Sequence, residues 1–328
     1  MIPSATPMTL GLAVVRRTTY RHFCMHFKQN TFGDQIEVDD PCHIRGAITV
    51  HPARHRDSGA RLIVKALSTR HPDLARVRGE FENEATVLQA VSHRNLVPLF
   101  IRIDAPAAEG LVMPLLKGIT VRQFLDRGRP SLRAAVHIIK QCIEALDYLH
   151  GLGITHRDLS PENLIFSTYS GRVRLIDFQS AGHPLKLFLG DEPPALYSLG
   201  YAAPEQITGT DVGRPADIYA IGVLFYELLA GRKPFPGTDP GRVAMSQLDE
   251  SYFPVSEVDS RVTNAFDELI GTSLSAFPEG RFTRAVEMGE AITVACARVP
   301  DFEIGRSFFR EAASDEDNAY VNVFAPPR

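Results

Sequence analysis

The run His156-Arg157-Asp158-Leu159-Ser160-Pro161-Glu162-Asn163 places an acid and an amide five residues apart on one short polar stretch. A carboxylate can take a proton and an amide oxygen can ligate a cation, so a base and a metal ligand share one loop. A second acid follows in Leu175-Ile176-Asp177-Phe178, after the strand-like Arg172-Val173-Arg174. Nearer the start, Lys65 closes Leu62-Ile63-Val64-Lys65, and Glu84 lies within Asn83-Glu84-Ala85-Thr86-Val87-Leu88. An ammonium oriented by a carboxylate is a fixed donor for anionic oxygens. Phosphoryl transfer suits such a set, because it demands an aligned acceptor and cations over the phosphate charge rather than covalent chemistry.

These residues need elements to hold them. From Gln35 to Leu67 the pattern is β-type: Ile36 and Val38 alternate with polar neighbours, Ala47-Ile48-Thr49-Val50 follows, and Arg56-Asp57-Ser58-Gly59 turns the chain into Leu62-Ile63-Val64. A helix is expected from Leu74 to Val91, with Phe81, Ala85, Leu88 and Val91 on one face. A strand pair is expected over Leu96–Ile103 and Gly110–Leu115. Beyond Gly118 the character is helical. Ser131 is a good N-cap for a helix to about His150, striped by Val136, Ile139, Ile143 and Leu146. Short strands run to Asp177, and further helices are expected at Ala216–Ala230, Arg261–Ser273 and Thr283–Ala297.

The run from His156 to Asn163 resembles the catalytic loop of serine/threonine protein kinases. In that family the Asp accepts the proton of the attacking hydroxyl and the Asn holds magnesium, which makes Asp158 the expected base and Asn163 a metal ligand. Asp177 matches the Asp that chelates magnesium on the ATP phosphates, Lys65 the Lys on the α- and β-phosphates, and Glu84 its helix partner. Tyr201-Ala202-Ala203-Pro204-Glu205 resembles the end of the activation segment, and Asp217-Ile218-Tyr219-Ala220-Ile221-Gly222 the helix anchoring the large lobe. Pro278-Glu279-Gly280-Arg281 supplies the Arg expected to pair with Glu205. Leu88, Leu99, His156 and Phe178 match the apolar column linking the lobes. Met113-Pro114-Leu115-Leu116 resembles the hinge, with Met113 as gatekeeper and adenine contacts through the Pro114 carbonyl and the Leu116 N–H. Ile48 and Ile63 above the adenine, and Ile165 below, complete the nucleotide site that the resemblance implies.

Four positions depart from the family pattern. Of the glycine-rich loop, the window Pro41-Cys42-His43-Ile44-Arg45-Gly46 keeps Gly46 alone. The lost glycines normally let backbone N–H groups approach phosphates closely. Ile63 stands where an Ala is usual against the adenine, Gln179 follows Asp177-Phe178 in place of Gly, and Ser160 replaces a Lys that touches the transferred phosphate.

The chain has 328 residues, 44% hydrophobic and 23% charged, with a net charge of -4, so no bulk field draws it to nucleic acid. No apolar run approaches the roughly 20 residues of a membrane span. Cys24, Cys42, Cys142 and Cys296 share no metal-ligand spacing and read as reduced thiols of a cytoplasmic protein. The resemblance covers Gln35 to Ala297, and Ala203-Pro204-Glu205-Gln206 with Glu227-Leu228-Leu229-Ala230-Gly231-Arg232 resembles its bacterial branch.

The expected fold is therefore α+β and two-lobed: a small β-rich N-lobe with one helix over residues 35–116, and a larger helical C-lobe over 117–298. A basic extension, 1–34, is expected to be disordered, and residues 299–328 form a loose tail. The expected activity is ATP- and Mg-dependent transfer of the γ-phosphate to Ser or Thr of a protein substrate, with regulation from a partner, the tails or the activation segment. A pseudokinase, a nucleotide-binding or scaffold module with little transfer activity, is the alternative from another class.

Overall fold

Leu, Ile and Val crowd the segment 61–67, and burial of both faces makes it a central strand. The computed structural model describes residues 35–45, 47–67, 74–105, 108–184, 197–209, 212–300 and 302. The expected disordered extension, Gly46 and nearly all of the expected tail lie outside the described residues. The chain divides into two compact units, one containing residues 35–90 and 97–116, the other 91–96 and 117–300.

In the first unit, β1 (Ile36–Val38), β2 (His43–Arg45), β3 (Ile48–His55), β4 (Arg61–Leu67), β5 (Ile101–Ala105) and β6 (Ala108–Pro114) form one antiparallel sheet. Its order is β1-β3-β4-β6-β5, with β2 also on β3. Helix α1 (Leu74–Ala90) lies between β4 and β5 in the chain and buries Phe81, Glu84, Ala85 and Leu88. Directly opposed residues share a face, so the register sorts the side chains. Leu62, Val64 and Ala66 join Ile36, Ala53, Ile103 and Val112 in one apolar cluster. The other face of β4 carries Ile63 and Lys65, opposite Met113 and Leu111 of β6, and Ile48 opposes Leu67 on that same face.

The window that lacks the family's glycines is in part strand. Its residues His43–Arg45 are strand β2, with Arg45 opposite Ile48, so only residues 46 and 47 connect the two. Val38 opposes Ala53 but His43 opposes Val50, so four residues (39–42) face two (51 and 52), which is a bulge. Asp39 N–H donates to the Pro52 carbonyl (2.9 Å), and Cys42 N–H to the Val50 carbonyl (2.9 Å), closing it at both ends.

The second unit has a short sheet of β7 (Ile119–Thr120), β8 (Leu164–Phe166) and β9 (Val173–Leu175). Its helices are α2 (Val121–Asp126), α3 (Leu132–Gly151), α4 (Pro204–Thr208), α5 (Arg214–Ala230), α6 (Pro240–Leu248), α7 (Val255–Val258), α8 (Asn264–Ser273) and α9 (Ala285–Ala297). Ser131 caps α3 as expected, its hydroxyl accepting from Ala134 N–H (3.2 Å). Helix α5 is buried almost all round and packs against α3 and α8, so its polar Asp217 and Glu227 must find partners inside. Among the described residues no helix is long and apolar enough to cross a membrane.

Several element boundaries differ from the sequence expectation, and three of the differences have a visible local cause. The strand expected from Leu96 starts at Ile101; Pro98 has no N–H for a ladder, and Leu96 bridges to Leu175 instead. Helix α8 starts at Asn264 rather than Arg261, because Asp259 holds the Arg261 backbone and guanidinium in a turn. Helix α9 starts at Ala285, where Glu287 accepts from the N–H groups of Thr283 (3.0 Å) and Arg284 (3.2 Å).

Candidate active site

Strand β4 carries Lys65 on the face away from the apolar cluster, and α1 brings Glu84 to it. Both side chains are almost wholly buried, and Lys65 Nζ forms an ion pair and hydrogen bond with Glu84 Oε2. A buried charge persists only when paired, so the two hold each other in place. Helix α1 is tied to the sheet at two further points, Glu82 with Arg102 (2.7 and 2.8 Å) and Arg78 with Glu109 (2.7 Å). Ile48, Ile63 and Met113 lie on the Lys65 face, each under a tenth exposed. Past Pro114 the ladder continues through Leu115 N–H to the Arg61 carbonyl (3.1 Å), and Leu116 is buried beyond it.

In the second unit, the loop 156–163 is hung from Asp217, near the start of α5. Its carboxylate accepts from the N–H groups of His156 (2.9 Å) and Arg157 (2.8 Å) and bonds His150 Nε2 (2.8 Å). Burial alone would raise the Asp217 carboxyl, but the His150 bond and these N–H groups outweigh it and hold it below the ordinary range. Arg157 adopts φ 65°, a conformation that non-glycine residues rarely take, and the two hydrogen bonds from the His156 and Arg157 N–H groups to Asp217 fix that turn. A Cβ on Gly182 would stand 2.6 Å from Arg157 Cζ, so only glycine lets the guanidinium lie there.

Asp158 leaves this turn half-buried. Its Oδ1 accepts from Ser198 N–H (2.8 Å) and its Oδ2 from Asn163 Nδ2 (3.0 Å). The same Nδ2 also donates to the Asp158 carbonyl (2.8 Å), which leaves the Asn163 side-chain oxygen as a free acceptor site in orientation. Burial and then the Asp177 carboxylate raise the Asp158 carboxyl above its usual range, against the Ser198 donors and His156. Asp177 also has positive φ, 63°, and Gln179 N–H donates to its Oδ1 at 3.4 Å. Next to it the Phe178 ring meets His156 edge-on at 5.0 Å, two members of the expected apolar column. Leu88 is buried in the first unit, while Leu99 is only half-buried. Ile165 sits on β8, 2% exposed and opposite Thr120.

An amide oxygen and a carboxylate are hard donors of the kind magnesium prefers, completing its octahedron with water and phosphate. Among the described residues no group of three or more His, Cys, Asp or Glu could hold a metal ion. The expected Glu205–Arg281 pair is present and bidentate (2.7 and 2.9 Å), with Arg281 also donating to the carbonyls of Ser275, Pro215 and Ala276. Gly46, expected at the nucleotide, lies outside the described residues.

Three contributors to the site were not anticipated from sequence: Ser198 at Asp158, and Arg122 with Tyr201 behind Ser198. Ser198 lies 40 residues from Asp158, and Arg122 lies 79 from Tyr201. The motif ending at Glu205 was the one available signal for Tyr201, since it includes that residue.

The family described as "Protein kinase domain" matches residues 46–292. The chain belongs to that family. It is 29% identical over 261 residues to the probable serine/threonine-protein kinase PknB of Lactococcus lactis, covering 78% of this chain and 41% of that one. It is 30% identical over 245 residues to the serine/threonine-protein kinase PknL of Mycobacterium tuberculosis, covering 74% and 61%. PknB of Mycolicibacterium smegmatis is 29% identical over 284 residues, covering 82% and 44%. The chain thus spans between two fifths and three fifths of the length of these curated relatives.

Proposed function

We propose that this chain transfers the γ-phosphate of Mg-ATP to a Ser or Thr hydroxyl of a protein substrate, with residues 35–116 and 117–298 as its two lobes. Asp158 receives the hydroxyl proton as general base; its raised carboxyl is a better acceptor than an ordinary one. Asn163, oriented by its bonds to Asp158, and Asp177 hold the magnesium ion. Bound there, magnesium neutralises phosphate charge. Lys65, fixed by Glu84, grips the α- and β-phosphates. Ile48 and Ile63 lie above the adenine and Ile165 below it, Gly46 is what the chain keeps of the phosphate loop, and Met113, Pro114 and Leu116 run along the adenine edge.

The observation that carries this reading is the loop 156–163, where one acid and one amide are held by each other and by Asp217. Serine/threonine selectivity rests on the names of the relatives, and the cytoplasmic setting we propose rests on cysteines that share no metal-ligand spacing and read as reduced thiols. The test is phosphoamino-acid analysis of a generic basic protein incubated with the chain and γ-labelled Mg-ATP. Label in phosphoserine and phosphothreonine is expected; label in phosphotyrosine alone, or none, would refute the proposal.

A further inference from the structure

The window 39–45 has few backbone donors left for a phosphate. Asp39 N–H is bonded to the Pro52 carbonyl (2.9 Å) and Cys42 N–H to the Val50 carbonyl (2.9 Å), and Pro41 has no N–H. The residues that follow, His43–Arg45, pair with β3. A segment whose N–H groups are committed to a ladder offers an anion its side chains instead.

The register decides which side chain. Continued from Val38 opposite Ala53, an unbroken ladder would set Pro41 opposite Val50; the two extra residues of the bulge set His43 there instead. Val50 in turn opposes Lys65. His43, Val50 and Lys65 therefore form one row across β2, β3 and β4, and residues in a row share a face. Their neighbours alternate to the other face: Ile44 is 58% exposed, and His51 opposes Val64 of the apolar cluster. His43 is half-buried, with the buried Val50 between it and Lys65. Two ladder steps put the backbones of His43 and Lys65 about 10 Å apart. An ammonium and an imidazole on one face across that gap can hold oxygens of a single polyphosphate. The imidazole brings one N–H when neutral and two when protonated.

We propose that His43 is a phosphate-binding residue of the nucleotide site, a side-chain donor standing in for the backbone N–H groups that the missing glycines would have supplied. The inference rests on the reading of Lys65 as the grip on the α- and β-phosphates, and it adds a second donor in the same row. It assigns His43 to the phosphates and not to the base, so adenosine binding should be indifferent to this side chain.

The test uses the full chain with His43→Leu, which keeps bulk without a donor, and His43→Gln, which keeps an N–H. Titration calorimetry should show Mg-ATP bound about 10-fold more weakly by His43→Leu, the worth of a hydrogen bond to a charged group, with adenosine affinity unchanged. His43→Gln should recover part of the loss, and no recovery would overturn the donor role. Equal Mg-ATP affinity in His43→Leu would overturn the inference, as would a loss of the same size for adenosine. A second measurement uses the wild type alone. Acylation of the His43 imidazole by diethyl pyrocarbonate, located by peptide mass spectrometry, should slow in saturating Mg-ATP but not in saturating adenosine. An equal rate with and without Mg-ATP would overturn the inference, whether or not His43→Leu folds. A wild type that binds Mg-ATP in the expected pattern but transfers no phosphate would refute the proposed function alone; a wild type that binds no Mg-ATP would refute both.

Discussion

Glu205→Ala removes one partner of a buried ion pair, and its cost can be worked from the contacts. The Arg281 side chain is fully buried, and Glu205 accepts two of its N–H groups. Three backbone carbonyls accept from the same guanidinium, and the Tyr219 ring lies 4.7 Å beneath it. Truncating one member of such a pair costs about 3–5 kcal/mol, because the remaining charge stays buried without its counter-ion. The surviving carbonyls and ring place this case near the low end, at about 3 kcal/mol. For a cooperative unit of this size, about 2–4 °C per kcal/mol predicts a fall in Tm of about 6–12 °C. Thermal melting of the two purified chains measures it. Adding Arg281→Met to the variant should recover part of the loss, since the stranded charge is gone. A Tm equal to wild type in Glu205→Ala would refute the reasoning, and so would a double variant less stable than the single one by the full cost of a second deletion.

The other predictions follow from the same geometry. Lys65→Met and Asp177→Asn should each weaken Mg-ATP binding or its productive alignment, read as a smaller Mg-ATP shift in Tm and a lower turnover; unchanged values in both would place the site elsewhere. Ile63→Ala should bind Mg-ATP more tightly, by up to about 10²-fold, if the larger side chain crowds the adenine; titration calorimetry giving equal or weaker binding would remove that argument. Asp217→Asn should lower Tm at neutral pH. Because the folded carboxyl titrates below its unfolded value, its contribution is present above about pH 4 and is lost as pH falls through the lower, folded value. The gap in Tm between Asp217→Asn and wild type should therefore narrow in acid, and a gap independent of pH would contradict the assignment.

The residues that sequence made legible share one property: each motif carries both halves of its own logic. Asp158 and Asn163 lie on one loop, so their spacing alone suggests the hydrogen bonds that join them. Lys65 and Glu84 are 19 residues apart, but a strand and a helix with clear periodicity flank them. Ser198 offered no such sign, since its contribution is a backbone N–H and any residue supplies one. Arg122 and Glu227 lie 105 residues apart on different helices, and only packing brings them together. The strand in the window before Gly46 was not legible for another reason: His43-Ile44-Arg45 is too short to show alternation, and its strand exists because β3 offers a ladder beyond the bulge.

The most direct measurement is γ-phosphate transfer by the wild type and by Asp158→Asn, at saturating Mg-ATP, beside a titration of nucleotide affinity for both. Asp158 faces the acceptor hydroxyl in this account, so the variant should lose transfer while binding Mg-ATP almost as tightly as the wild type. Undiminished transfer in Asp158→Asn would contradict the account at its centre.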